Sequence, residues 1–176
     1  MRIVSKLLIK IINKVLPPPE KMLRMYIKDG MICGENCRFF TRIPIGEPYL
    51  IQIKKNVTIS TGVNLITHDN SAIKIYENAT DFVGQIVIGN NCFIGSGSTI
   101  LPGVILADNC IVAAGSVVTK SFLDKGSVIG GNPAKIIGSV EKIKEKNKEK
   151  VFNFTCHSSD EKKAMILGNK ERWIQK

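Results

Sequence analysis

Histidine is scarce in this chain. Among its 176 residues there are two, His68 and His157. A zinc hydrolyase that relies on three imidazole ligands needs more histidines than this, so the sequence argues against that class of enzyme. Aromatic residues are also few, at 6%, which suits a narrow core filled by Ile, Leu and Val.

Long apolar runs are absent as well. The first sixteen residues, MRIVSKLLIKIINKVL, are interrupted by Lys6, Lys10 and Lys14 and contain no small-residue cleavage site, so neither an export signal nor a membrane span is expected. We therefore predict a cytoplasmic protein. On a helix these lysines form a basic stripe opposite an apolar face. Such a helix either docks on the rest of the protein or on a sister subunit, or contacts an anionic membrane surface peripherally.

Positive charge is concentrated at the two ends of the chain. Of the formal charge of +10, residues 1–30 carry +5, residues 141–176 carry +4 and residues 31–140 carry +1. A formal charge of +10 suggests a nucleic-acid partner until the charge is located along the chain. Because the central part is nearly neutral, we expect no nucleic-acid partner.

A six-residue period between Ile88 and Leu123 is the strongest pattern present. The first position of each six is aliphatic and the fifth is mostly small. This period is typical of a parallel β-helix, an all-β solenoid in which three sixes make one coil and residues 18 apart stack. The first positions are Ile88, Ile94, Ile100, Leu106, Val112 and Val118, and the fifth are Cys92, Ser98, Val104, Cys110, Ser116 and Phe122. The same frame recurs at Ile53, Ile59 and Leu65, with Val57 and Val63 in the fifth position.

The period also predicts the organisation of the chain. We expect a basic amphipathic helical segment at 1–30, a β-helix at 31–138, and a basic C-terminal helix and tail at 139–176. The distance from Leu65 to Ile88 is not a multiple of six, which predicts an excursion loop at about 69–84. Open edges and exposed faces of such a coil favour self-association, so a homo-oligomer is expected.

The five cysteines do not indicate a metal site or disulfides. Cys33 and Cys37 lack a second pair at suitable spacing, and thiols stay reduced in the cytoplasm. Cys92 and Cys110 fall one coil apart at inward positions. We therefore interpret that second pair as small, stacked core residues.

His68 is the best candidate for a catalytic residue. It stands where the chain leaves the coil, three residues after Leu65 and next to Asp69. Imidazole can remove a proton at neutral pH, and a neighbouring carboxylate can fix its tautomer. His157 lies in the polar stretch FNFTCHSSDEKK, where we expect a solvent-exposed bystander.

The run IGNNCFIGSGSTILPGVILADNCIVAAGSVVTKSFLDKGSVIGGNPAKIIG, preceded by NVTISTGVNLITHD, resembles the hexapeptide-repeat acyltransferases. The resemblance covers roughly residues 32–138. It implies a left-handed parallel β-helix, a homotrimer with active sites between neighbouring subunits, and acetyl-CoA as cosubstrate without a metal. Within it, His68 matches the general base, with Asp69 beside it. The cofactor-binding positions that it implies are Ser96, Ala114, Thr119, Lys120 and Lys135.

The acceptor is less well determined by the sequence. The stretch EPYLIQIKKNVTISTGVNLITHDNS and the basic N-terminus are most similar to O-acetyltransferases of bacterial surface polysaccharide and lipopolysaccharide, which implies a sugar hydroxyl. An amino group on a nucleotide-linked sugar and an antibiotic hydroxyl remain open. A structural or ice-binding solenoid is disfavoured because regular Thr or Asn rows are missing from the outward faces, and a carbonic-anhydrase-like protein because histidines are too few.

Overall fold

Three sheets contain most of the strands of the protein. The computed structural model describes residues 19–40, 45–155 and 158–174. Sheet 1 comprises β1 (Ile32–Cys33), β3 (Ile51–Ile53), β8 (Ile86–Ile88) and β11 (Ile105–Leu106). Sheet 2 comprises β2 (Arg38–Phe39), β4 (Thr58–Ile59), β9 (Phe93–Ile94), β12 (Ile111–Val112), β14 (Ser127–Gly131) and β15 (Ala134–Ser139). Sheet 3 comprises β5 (Asn64–Leu65), β10 (Thr99–Ile100) and β13 (Val117–Val118).

The chain visits the three sheets in turn, so it winds into a coil of short parallel strands. Strands β8, β9 and β10 each pair with the strand three places further along the chain. The paired core residues are Ile88 and Leu106, Ile94 and Val112, and Ile100 and Val118. Each pair is 18 residues apart, which confirms the stacking predicted from the hexapeptide period.

The core is a column of aliphatic side chains inside this coil. Every predicted first-position residue from Ile53 to Val118 is buried, and so is every predicted fifth-position residue from Val57 to Phe122. Cys92 and Cys110 are 2% and 0% exposed, which confirms that they are core residues. Burial of such side chains from water is the dominant stabilising contribution in a fold of this kind.

Asparagines form the turn between sheets 1 and 2. Asn36, Asn56, Asn91 and Asn109 all adopt φ values between 56° and 61°, a left-handed conformation that asparagine tolerates better than most residues. Their side chains also stack: Asn56 Nδ2 donates to Asn91 Oδ1 at 2.7 Å, and Asn91 Nδ2 donates to Asn109 Oδ1 at 3.2 Å. One asparagine per coil therefore sets this corner.

The coil is interrupted between β5 and β8. Ile53 of β3 pairs with Ile88 of β8 at a separation of 35 residues instead of 18. The extra residues form an antiparallel hairpin of β6 (His68–Asp69) and β7 (Phe82–Val83), with a 3-10 helix at Asn70–Lys74. At the neck of this hairpin, Gly84 N donates to Thr67 O at 2.9 Å.

The end of the coil is closed differently. β14 continues the parallel stack by pairing with β12, and β15 then turns back antiparallel to β14, with a cis peptide bond between Asn132 and Pro133. Helix α1 (Pro19–Lys28) precedes the first strand, and a 3-10 helix at Pro48–Leu50 precedes β3.

The segment Glu141–Lys176 is a second compact unit. It contains most of α2 (Val140–Asn147), all of α3 (Ser159–Gly168), and 3-10 helices at Lys148–Lys150 and Lys170–Arg172. The rings of Phe152 and Phe154 stack at 5.4 Å, and Ser158 and Glu161 form a capping box at the start of α3. Across the residues that the structure covers, no helix is both long and apolar enough to span a bilayer. The predicted helix at 1–16 and the predicted bystander His157 lie outside the described residues.

Candidate functional site

His68 opens the excursion hairpin as the first residue of β6. Its side chain is 44% exposed, and its Nδ1 lies 2.8 Å from Oε2 of Glu47. An ionised carboxylate has no hydrogen to donate, so Nδ1 donates to it and Nε2 keeps the lone pair. The imidazole is therefore held in the tautomer that a general base requires.

Glu47 receives a second hydrogen bond. The hydroxyl of Thr67 donates to the same Oε2 that accepts from His68. These two hydrogen bonds hold the pKa of Glu47 below its usual range. In turn, the hydrogen bond to Glu47 and the charge of that carboxylate raise the pKa of His68, which makes its imidazole a stronger base than an isolated histidine.

The carboxylate of Asp69, predicted to orient the imidazole, forms its hydrogen bond elsewhere. Its Oδ1 accepts from Ser71 N at 2.8 Å and caps the 3-10 helix that follows. Neighbouring residues on a strand project to opposite faces, so a carboxylate directly after His68 is poorly placed to reach the same ring. The residue that orients the imidazole is Glu47 and not Asp69.

Sequence reasoning missed Glu47 because the first coil is 20 residues long and departs from the 18-residue period. β1 and β3 pair at Cys33 and Ile53, a separation of 20 residues, and Glu47 and Thr67 have the same separation. In a strict 18-residue frame, Glu47 falls level with the inward Leu65 and would be excluded as a functional residue. Only the actual register places it level with Thr67.

Gly46 provides room for the imidazole. A Cβ added to Gly46 would lie 3.2 Å from His68 Cε1 and 3.5 Å from Nδ1, its nearest contacts among the described residues other than its chain neighbours. Carbon atoms in ordinary contact are about 3.5–4.0 Å apart. The absence of a side chain at Gly46 therefore lets the ring pack directly against the backbone.

Four of the other predicted site residues lie at two different corners of the coil. Ser96 and Ala114 follow β9 and β12, in the turns that lead from sheet 2 into sheet 3. Thr119 and Lys120 follow β13, at the far end of sheet 3, which is also the end where the chain leaves β5 for His68. The strands of sheet 3 run parallel, so Ser96 and Ala114 lie where these strands begin, and Thr119 and Lys120 lie where they end. Within one chain, the length of the strands therefore separates the two groups.

Local contacts further define these positions. Ser96 Oγ lies 2.7 Å from Ser60 Oγ in the neighbouring coil, and the Ser96 carbonyl accepts from Gly115 N at 2.8 Å. Lys120 Nζ lies 5.8 Å from the centre of the Phe122 ring. Lys135 is exposed on β15, where it pairs with Gly130, so it belongs to sheet 2 and not to the end of sheet 3 near Lys120.

Thiols and carboxylates do not form an evident metal centre. In the ranges 19–40, 45–155 and 158–174, no group of three or more His, Cys, Asp or Glu side chains could hold a metal ion. Cys33, Cys37, Cys92 and Cys110 are free thiols.

Comparison with known proteins identifies relatives of this chain. Residues 85–120 match the family described as the hexapeptide repeat of succinyl-transferase. The chain is 46% identical to Protein CapG of Staphylococcus aureus over 169 residues, which is 93% of this chain and 94% of that protein. It is 33% identical to the putative acetyltransferase YvoF of Bacillus subtilis, over 64% of this chain and 69% of that protein. Among solved structures, a galactoside acetyltransferase in complex with coenzyme A is similar, with 25% identity, a TM-score of 0.54, and coverage of 90% of this chain and 88% of that one.

Proposed function

Because the chain belongs to the hexapeptide-repeat acyltransferase family, we propose that it transfers an acetyl group from acetyl-CoA to a hydroxyl of a sugar. The observation that carries this proposal is His68, whose Nδ1 is held by Glu47 at 2.8 Å while its Nε2 keeps the lone pair. Such an imidazole is oriented to deprotonate an acceptor hydroxyl.

In the proposed reaction, His68 Nε2 takes the proton of the acceptor hydroxyl while that oxygen attacks the thioester carbonyl carbon. The new C–O bond forms, the C–S bond breaks, and the imidazolium returns the proton to the departing sulfur. The negative charge of Glu47 stabilises the imidazolium between these two transfers. No metal takes part in this scheme.

The corner that leads into sheet 3 fits the pantetheine arm of acetyl-CoA. Ser96 and Ala114 are exposed there, and a Cβ added to the adjacent Gly97 or Gly115 would meet nothing within 4 Å. A thin chain can therefore approach the bare backbone, where an amide N–H can stabilise the thioester oxyanion. The similar galactoside acetyltransferase is in complex with coenzyme A, which supports acetyl-CoA as the cosubstrate. Exposed lysines suit the nucleotide phosphates, and the proposed phosphate ligands are Thr119, Lys120 and Lys135.

The separation of the two corners supports an active site shared between subunits, as in the homotrimer of left-handed coils that the family resemblance implies. His68 lies at one end of sheet 3, whereas Ser96 and Ala114 lie at the other. A complete site then takes the base from one subunit and the cofactor corner from its neighbour. Mixed trimers test this arrangement: His68→Ala and Ala114→Trp chains, each inactive alone, should regain activity when coassembled, and failure to do so in verified mixed trimers would exclude a shared site.

The acceptor can be identified by release of free coenzyme A against a panel of glycans, sugar nucleotides, amino sugars and antibiotics. We expect a sugar hydroxyl, in surface polysaccharide or lipopolysaccharide. His68→Ala should keep its fold and its affinity for coenzyme A but lose about a hundredfold or more in turnover. Near-normal turnover of that variant would refute the role of His68, and preference for an amine or an antibiotic would redirect the acceptor assignment.

The basic ends of the chain support peripheral contact with the inner face of a membrane for this cytoplasmic enzyme. Residues 1–30 and 141–176 carry most of the positive charge. An anionic lipid surface attracts such segments by about 1 kcal/mol for each Lys or Arg that lies near it. Flotation with anionic vesicles at low and high salt tests this. Deletion of residues 1–16 should weaken binding to these vesicles. Aggregation of the shortened chain would instead indicate that the apolar face of the deleted segment normally packs on the rest of the protein or on a sister subunit.

A further inference from the structure

Thr67 is a buried polar residue placed between the core and the catalytic histidine. Its side chain is 2% exposed, and it directly precedes His68 at the point where the chain leaves the coil. Buried hydroxyl groups are nearly always hydrogen-bonded in native proteins. The partner of this hydroxyl is Oε2 of Glu47, which is also the atom that accepts from His68 Nδ1.

Glu47 needs such an anchor. Its side chain is 25% exposed, and a partly solvated glutamate can adopt several rotamers at little cost in free energy. Its bond to His68 alone joins two side chains that are both accessible to solvent. The Thr67 hydroxyl, by contrast, is fixed by the core, so it restricts the carboxylate to the rotamer in which one oxygen faces the imidazole.

We propose that Thr67 is a positioning residue for His68, which acts by holding the Glu47 carboxylate against Nδ1. This inference rests on the proposed function, in which His68 is the general base. It assigns a task to the side chain of Thr67 beyond that of its backbone, whose carbonyl accepts from Gly84 N and closes the neck of the excursion.

Three carboxylates influence the imidazole from three segments. Glu47 precedes the 3-10 helix at Pro48–Leu50, Asp81 precedes β7, and Asp69 lies on β6 itself; all three raise the pKa of His68, and Glu47 has the largest effect. Asp81 and Asp69 are tied to other partners, because Asn70 Nδ2 donates to Asp81 Oδ1 and Ser71 N donates to Asp69 Oδ1. Loosening Glu47 should therefore change the titration of His68 while the other two charges stay in place.

The experiment compares Thr67→Val, which keeps the shape but removes the hydroxyl, with Thr67→Ser, which keeps the hydroxyl. Thr58→Val is the matched control, because Thr58 lies on β4 in sheet 2, away from this corner. The imidazole titration is followed by NMR in a His157→Gln background, which leaves His68 as the only histidine. Turnover is measured from pH 5 to 9 on the same proteins.

For Thr67→Val we expect kcat to fall about tenfold, the scale of losing one anchoring hydrogen bond. The His68 titration and the acid limb of kcat/KM should both move to lower pH. Thr67→Ser and Thr58→Val should stay within about twofold of the parent in rate, and their titrations should not move. If Thr67→Val does not fold, Thr67→Ala replaces it, since it removes the same hydroxyl without adding a methyl group against the carboxylate.

Two results would overturn the inference. One is a His68 titration in Thr67→Val that is unchanged or moves to higher pH. The other is an equal loss in Thr67→Ser and Thr67→Val, which would reduce Thr67 to a packing role. A failure of the proposed function is distinguishable from both, because the titration would then move as expected while His68→Ala itself retained full activity.

Discussion

Replacement of Gly46 by alanine tests how closely the imidazole must be held. The added Cβ would lie 3.2 Å from His68 Cε1, whereas carbon atoms in ordinary contact are about 3.5–4.0 Å apart. The ring must therefore retreat by roughly half an ångström. Since a displacement of about 1 Å in an active site can cost about a hundredfold in rate, we expect Gly46→Ala to lower kcat/KM about tenfold.

Stability should respond differently from activity. Gly46 has no left-handed φ, and the new methyl, its chain neighbours aside, would contact the imidazole and no backbone atom among the described residues, so alanine is compatible with the backbone. Alanine also restricts the unfolded chain, an effect worth about 0.4–1 kcal/mol in favour of the fold. The free energy of unfolding, measured by urea denaturation, should therefore stay within about 1 kcal/mol of the parent protein.

Two comparisons make the assay decisive. Gly168→Ala is the matched control, because its Cβ would meet nothing within 4 Å, and it should leave kcat/KM unchanged. In a His68→Ala background, Gly46→Ala should have no further effect, because the two residues act through one group. Full activity of Gly46→Ala, or an undiminished loss in the His68→Ala background, would refute this reasoning.

Two further predictions concern the charge next to the base and the core of the coil. Glu47→Gln should move the acid limb of the pH–kcat/KM profile to lower pH, because the Glu47 carboxylate raises the pKa of His68 and the base must be deprotonated to act. Turnover on the plateau should also fall, on the order of tenfold to a hundredfold. Asp69→Asn is its matched comparison and should change neither by much, since an amide oxygen can still accept from Ser71 N, and equal effects of the two substitutions would contradict the assignment of Glu47. Ile94→Ala should lower the free energy of unfolding by about 2–5 kcal/mol, because Ile94 is fully buried in sheet 2. Ile143→Ala, at a position 41% exposed on α2, should stay within about 1 kcal/mol of the parent, and urea denaturation that showed equal losses would be inconsistent with a core inside the coil.

The family resemblance and the core were both accessible from the sequence. A parallel coil buries one aliphatic side chain per six residues, so its period appears directly in the order of amino acids, as from Ile88 to Val118. The prediction that Cys92 and Cys110 are core residues was correct for the same reason. The position of His68 at the start of the excursion also followed from the period, because the interval from Leu65 to Ile88 does not fit six.

The surroundings of His68 depended on the tertiary structure. Proximity in sequence suggested Asp69, but a strand sends adjacent side chains to opposite faces, and Asp69 caps the next turn instead. Glu47 reaches the imidazole because the first coil is 20 residues long and not 18. A repeat determines which residues face inward wherever its period holds. Contacts between coils also depend on the lengths of the irregular turns, and these lengths follow no period in the sequence. For that reason the sequence determined the coil, its core and the place of His68 at the start of the excursion, and only the folded register decided that Glu47, Thr67 and Gly46 surround its imidazole.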